Sequence, residues 1–194
     1  LRDAAHKDEP LESAVKMKMC QDVARGMAHL HAKRFLHRDL AARNALVDGD
    51  WVCKVADFGL SRATQETDTD DGGEDDAESN QYYRSSHGMF PIRWTAPESI
   101  ETFKFTFASD VWSFGVLLYE CFRNGAQPYK GMKNAEVMQQ VPCGYRLPQP
   151  AGESSAVYQI ALGCWEEAAA DRPAFATLVQ ALEPHTTTMT VSYN

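Results

Sequence analysis

The run from Val111 to Phe122 carries apolar side chains on almost every side: Val111, Trp112, Phe114, Val116, Leu117, Leu118, Tyr119, Cys121 and Phe122. A helix of that composition has no face to offer water, so it must lie in the middle of a domain. Ser109 or Asp110 can cap its start, and Asn124-Gly125 ends it. Every other element has to be arranged around this segment. The 194 residues are enough for one domain, and a domain of that size buries roughly 70% of its unfolded surface without needing covalent staples.

The surrounding layers read as helices. From Ser13, a plausible N-cap, Val15, Met19, Val23 and Met27 step by four beside Cys20, Ala24 and Leu30. That is one apolar stripe on a helix ending near His31. Further helices are predicted at Asn134–Gln140, Ala156–Glu166 and Phe175–Leu182. The residues after Pro184 form a Thr-rich tail, 185–194.

Strands are few. Ala45-Leu46-Val47 and Trp51–Ala56 flank the turn Asp48-Gly49-Asp50 and read as a β-hairpin. An antiparallel hairpin returns its end to its beginning, so Asn44 and Asp57 become neighbours at its open end. Two oxygen-bearing side chains meeting there outline a site for a hard cation.

The charge balance excludes some functions. The net charge is −8, from 27 acidic and 19 basic residues. Eight of the acids lie between Glu66 and Glu78 with no Lys or Arg among them; the remainder is balanced, 19 against 19. No nucleic-acid partner is expected, since that calls for a basic patch. The stretch 64–80 lacks hydrophobic periodicity and reads as a solvated loop. The five cysteines, Cys20, Cys53, Cys121, Cys143 and Cys164, are scattered without a C-x-x-C pair, which predicts reduced, buried thiols in a cytosolic setting. No apolar run is long enough to span a bilayer, so no direct membrane insertion of this chain is expected.

Four segments carry a resemblance: HRDLAARN at 37–44, DFG at 57–59, PIRWTAPE at 91–98 and DVWSFG at 110–115. In this order and spacing they resemble a protein tyrosine kinase catalytic domain. The likeness continues through PYKGMKNAEV at 128–137, GYRLP at 144–148, CW at 164–165 and DRPAF at 171–175, and covers about Ser13 to Leu182. It implies a mainly α fold with a small β-hairpin, the C-lobe of a protein-kinase-like fold. Residues 1–184 would be a partial kinase domain, with 57–98 as activation segment and 66–78 as an acidic insert within it.

The resemblance also implies an activity: ATP-dependent phosphoryl transfer to tyrosine-containing protein substrates, with ATP and Mg2+ as cofactors. Asp39 would be the base that accepts the substrate hydroxyl proton; taken without the motif, it reads as a loop Asp bonding backbone amides. Arg43 would join it at the catalytic site, and Ala41-Ala42-Arg43 marks tyrosine preference. Asn44 and Asp57 would hold magnesium on the nucleotide phosphates. Pro91 and Trp94 belong to the platform beneath the substrate tyrosine. Glu98 and Arg172 resemble a buried ion pair, and Asp110 a carboxylate bracing the catalytic loop. His37 and Phe58 resemble packing pieces, with a proton-shuttling His37 as the alternative.

Tyr82 and Tyr83 match the position of autophosphorylation sites. The added charge of about −1.5 to −2 needs a basic partner, with Arg38 first and Arg62 second. The acidic insert either competes with that phosphate for Arg38 or is a tolerated insertion. No Gly-rich phosphate loop and no V-A-I-K lysine stand in the sequence. An N-lobe supplying them is expected in the parent protein, which would be cytoplasmic or on the cytoplasmic side of a membrane receptor, and this chain alone should be weakly active or inactive. Two other readings stay open: a non-catalytic binding module built on a kinase lobe, and a tyrosine-kinase-like serine/threonine kinase.

Overall fold

Helix α1 (Ser13–Ala32) buries Met19, Cys20, Val23, Ala24 and Met27, the stripe that steps along one face of its sequence. The computed structural model describes residues 11–58, the backbone of 62–63, and residues 91–185. The first ten residues, the acidic insert 66–78, Tyr82, Tyr83, the Arg62 side chain and the tail from residue 186 lie outside the described residues.

The N-cap of α1 is Glu12, with no side-chain capping bond. Ser13, expected to cap, is the first helical residue, and its hydroxyl donates to Glu153 at 2.9 Å. A distant carboxylate has outcompeted the local turn.

After α1 the chain forms short strands in two antiparallel pairs. β1 (Phe35–Leu36) pairs with β4 (Arg62–Ala63), and β2 (Ala45–Val47) pairs with β3 (Cys53–Val55) in the register Ala45↔Val55. The β2–β3 hairpin is the one expected from the sequence, although β3 is shorter than Trp51–Ala56. Asp48 organises its turn by accepting from the amides of Asp50 at 3.1 Å and Val52 at 3.0 Å.

Among the described residues, the remaining helices are α2 (Pro97–Thr102), α3 (Phe107–Phe122), α4 (Asn134–Gln140), α5 (Ser155–Cys164) and α6 (Phe175–Leu182). Helix α3 runs through the centre, packed by α1 and α5, and α6 lies against α1. Thirteen of its residues are buried, from Ser109 to Phe122, which is what an all-apolar circumference requires. It starts four residues before the predicted Val111. Thr106 is the N-cap and forms a reciprocal capping box with Ser109 at the third helical position, so neither Ser109 nor Asp110 is the cap. Asn124 (φ 53°) and Gly125 (φ 75°) take the left-handed backbone that turns the chain away after its end.

Close packing dictates one glycine. A Cβ on Gly115 would sit 2.5 Å from Trp165 Nε1 and 2.8 Å from Cys164 Cβ, so α3 and α5 approach this closely only because the side chain is absent. Cys20, Cys53, Cys121 and Cys164 are buried free thiols, whereas Cys143, expected to be buried with them, is exposed in the turn after α4. A hydrogen bond with Cys121 and burial hold the Cys20 thiol well above its ordinary pKa, and burial does the same for Cys53 and Cys164. No helix among the described residues is long and apolar enough to cross a membrane.

Candidate active site

The loop between β1 and β2 is held from below by one carboxylate. Asp110, in the first turn of α3 and 1% exposed, accepts from the backbone amides of His37 and Arg38, each at 2.9 Å. Its Oδ2 also lies 3.0 Å from His31 Nε2 at the end of α1. The His31 ring sits between Phe107 and Phe175, with centroids at 4.6 and 4.9 Å. These bonds explain how Arg38 keeps a left-handed backbone (φ 69°), a conformation that strains a residue with a long side chain by about 1–3 kcal/mol.

His37 is fully buried. Its Nδ1 lies 3.3 Å from the Asp39 amide, and its Nε2 lies 3.2 Å from the Ala56 carbonyl. The ring therefore ties the loop to the strand end that leads into Asp57. Phe58 packs across it at 5.6 Å but is 47% exposed.

The hairpin brings the remaining groups in. The Ala56 amide donates to the Asn44 carbonyl at 2.8 Å, extending the ladder one step past Ala45↔Val55. Asp57 follows directly, also left-handed (φ 60°) and exposed. Asn44 closes a 3-10 turn (Ala42–Asn44), and its Nδ2 donates to the Asp39 carbonyl at 2.7 Å and to Asp39 Oδ2 at 2.9 Å. Arg43 donates to the other carboxylate oxygen of Asp39. Asp39, Arg43, Asn44 and Asp57 thus occupy one end of the hairpin.

Burial pushes the Asp39 carboxyl above the usual aspartate range, and the nearby Asp57 carboxylate adds to this. Arg43, the Asn44 amide and His37 pull in the opposite direction without cancelling it. A carboxylate of this kind can accept a proton from a hydroxyl placed against it. With the Asn44 Nδ2 committed to Asp39, its Oδ1 and the Asp57 carboxylate are the hard oxygen donors at the hairpin mouth. Among the described residues no group of three or more His, Cys, Asp or Glu could hold a metal ion alone. The donor set fits Mg2+, which takes one or two protein oxygens and completes its shell with phosphates and water.

Pro91 and Trp94 bracket a 3-10 turn (Ile92–Trp94) beside this cluster. The Trp94 ring lies 4.5 Å from the Arg43 guanidinium. Arg93 anchors the turn through the carbonyls of Pro128 and Tyr129, both at 2.8 Å, and Met132 at 2.5 Å. Glu98 and Arg172 form a two-pronged ion pair at 2.6 and 2.9 Å. It is buried on one side only: the Arg172 side chain is fully covered, while a third of the Glu98 side chain is exposed. The Arg38 guanidinium lies 5.6 Å over the Phe105 ring.

Glu120 escaped the sequence reading. It is 6% exposed, and its Oε2 accepts from the Ala42 amide at 3.0 Å and from Trp94 Nε1 at 2.8 Å. The available signal was a single acid inside the otherwise apolar turns Val116–Phe122.

Comparison with known proteins agrees with this architecture. The family model described as protein tyrosine and serine/threonine kinase matches residues 1–182. The chain therefore belongs to that family, and the relatives it resembles include tyrosine kinases. It is 44% identical over 174 residues to the cytoplasmic tyrosine-protein kinase BMX of Mus musculus, covering 90% of this chain and 25% of the relative. It is 48% identical over 165 residues to the ephrin type-A receptor 8 of Rattus norvegicus (85% and 41%). It is 49% identical over 163 residues to the tyrosine-protein kinase Srms of Homo sapiens (84% and 30%). The chain thus spans less than half the length of these curated relatives.

Proposed function

We propose that this chain is the substrate-binding lobe of a protein tyrosine kinase, transferring phosphate from ATP to tyrosine hydroxyls of protein substrates. The observation that carries the reading is the cluster at the hairpin mouth, where Asn44 Nδ2 binds Asp39 Oδ2 at 2.9 Å and the ladder sets Asp57 beside them. Asp39 would orient the tyrosine hydroxyl and take its proton. Asn44 and Asp57 would hold the Mg2+ that neutralises the phosphate charge of bound ATP. Arg43 holds one Asp39 oxygen, which leaves the carboxylate few orientations to sample. Pro91 and Trp94 would form the platform against which the tyrosine ring lies. In this reading residues 1–184 are one lobe, 57–98 its activation segment, and Tyr82 or Tyr83 the modified tyrosine. An N-lobe in the parent protein would cover the phosphates.

Phosphoryl transfer depends on position and electrostatics more than on covalent chemistry. A loop fixed by Asp110 and His37 suits that demand. The test is transfer from ATP by a full catalytic domain built around this chain, offered matched peptides with tyrosine or serine, with products read by mass spectrometry. Phosphate is expected on tyrosine alone. Equal modification of serine would favour a tyrosine-kinase-like serine/threonine kinase, and nucleotide binding without transfer to either would favour a non-catalytic module.

A further inference from the structure

We propose that Glu120 is a positioning residue that sets the substrate platform in register with the catalytic loop. The inference rests on the tyrosine kinase reading above. A single oxygen, Oε2, accepts from the Ala42 amide in the loop and from the Trp94 indole on the platform. The two segments are also joined a second time. Arg43, next to Ala42, stacks on the Trp94 ring at 4.5 Å and donates to Asp39. Glu120, Ala42, Arg43 and Trp94 therefore close a ring, with Asp39 attached to one member.

The placement of Glu120 gives the ring a rigid base. It projects from α3, the most deeply buried helix, between Leu118 (1% exposed) and Cys121 (2%). The same helix carries Asp110, which fixes the His37 and Arg38 amides three turns earlier in the helix. Ser113, also on α3, donates to the Trp94 carbonyl at 2.7 Å. One helix thus holds the loop at both ends and the platform in the middle. A carboxylate buried among apolar residues is costly to retain without a task, and packing alone would be served by Leu at this site. The bonds of Glu120 to Ala42 and Trp94 go to a backbone amide and a platform ring, not to Asp39, Asn44 or Asp57. Glu120 acts through Ala42 and Trp94, on the distance between a platform-bound ring and Asp39.

The test uses Glu120→Gln, Glu120→Leu and Trp94→Phe in the full catalytic domain, with kcat and KM measured separately for tyrosine peptide and for ATP. A Gln side-chain oxygen can occupy the same position and accept both bonds, whereas Leu accepts neither. Glu120→Leu should lower kcat/KM for the peptide by about ten- to a hundred-fold, the scale of misplacing a reacting group. The KM for ATP should change by less than about two-fold, because the nucleotide side is untouched. Glu120→Gln should recover most of the loss. Because Trp94 also carries the platform and the Arg43 stack, Trp94→Phe should cost something in either background, but less in Glu120→Leu than in the wild type. Equal losses for peptide and ATP, with Gln no better than Leu, would overturn the proposal, as would an unaffected Glu120→Leu enzyme. Amide exchange in the chain itself separates this from failure of the kinase reading. Slow exchange at Ala42 and the Trp94 indole should persist in Glu120→Gln and vanish in Glu120→Leu, even if the wild-type domain phosphorylates nothing. Loss of slow exchange in both variants, or in neither, would overturn the positioning role.

Discussion

Replacing Asp39 by Asn should lower kcat for tyrosine phosphorylation by about 10²- to 10⁴-fold, the usual worth of a positioned general base. Asn has nearly the same shape but only one acceptor oxygen, so it keeps the bond from Arg43 or the one from the Asn44 side chain, not both, and the proton acceptor is lost. KM for ATP should change far less than kcat, since Asn44 and Asp57 remain. The pH profile of the wild type supplies a second reading. Burial raises the Asp39 pKa, so its basic form fills at higher pH than that of an ordinary aspartate, and the acid limb of kcat/KM should be displaced upward. Arg43→Leu removes a cation that lowers this pKa, and the limb should move further in the same direction. The stability consequence has the opposite sign to that of most carboxylates. A folded-state pKa above the unfolded value means that the native state binds the proton more tightly. Stability contributed by Asp39 therefore falls as pH rises through the window between the two values. Asp39→Asn should remove that pH dependence without destabilising the fold, which urea unfolding at two pH values will read.

The second large effect is expected at Asp110. Asp110→Asn should destabilise the protein by about 2–4 kcal/mol, because an amide NH2 would replace an acceptor in front of a buried backbone N–H. The wild-type carboxylate serves the amides of His37 and Arg38 together with the His31 ring, and at 1% exposure Asp110 is shielded from the bulk solvent that could compensate. The left-handed Arg38 backbone would lose its anchor, so Asp39, one residue on, would be released as well. Activity should drop for peptide and ATP alike, in contrast to the peptide-selective loss at Glu120. The urea midpoint of the chain measures the first effect, and kcat of the full domain measures the second. Unchanged stability in Asp110→Asn would show that the loop is held by other means.

Much of this arrangement was legible from patterns that arise within one element. Helix α3 announced itself because an apolar residue on every side has only one place to go. The β2–β3 hairpin followed from Asp48-Gly49-Asp50, and the nearness of Asn44 and Asp57 followed from antiparallel pairing alone. What stayed hidden depends on contacts between distant segments. Thr106, Ser109 and Asp110 can all cap a helix, and the sequence alone does not rank them. The fold decides by drawing Asp110 to the loop amides and leaving Thr106 and Ser109 to pair with each other. Ser13 was lost to Glu153 in the same way, across 140 residues of sequence. Helix α2 is six residues long, too short to show a period, and β1 and β4 are two residues each. Glu120 is the sharpest case, since the Ala42 amide and the Trp94 indole that it holds lie far away along the chain.

Phosphoryl transfer at this site requires that Asn44 and Asp57 share one magnesium–nucleotide site beside Asp39. The most direct test of that sharing replaces Mg2+ by Mn2+ in the full catalytic domain and follows paramagnetic line broadening by NMR as ATP is added. The Asn44 side-chain amide and the Asp57 backbone amide should broaden most strongly, with ATP required, and the effect should be lost in Asp57→Ala. Mn2+ and ATP leaving those signals sharp while broadening residues elsewhere would contradict it.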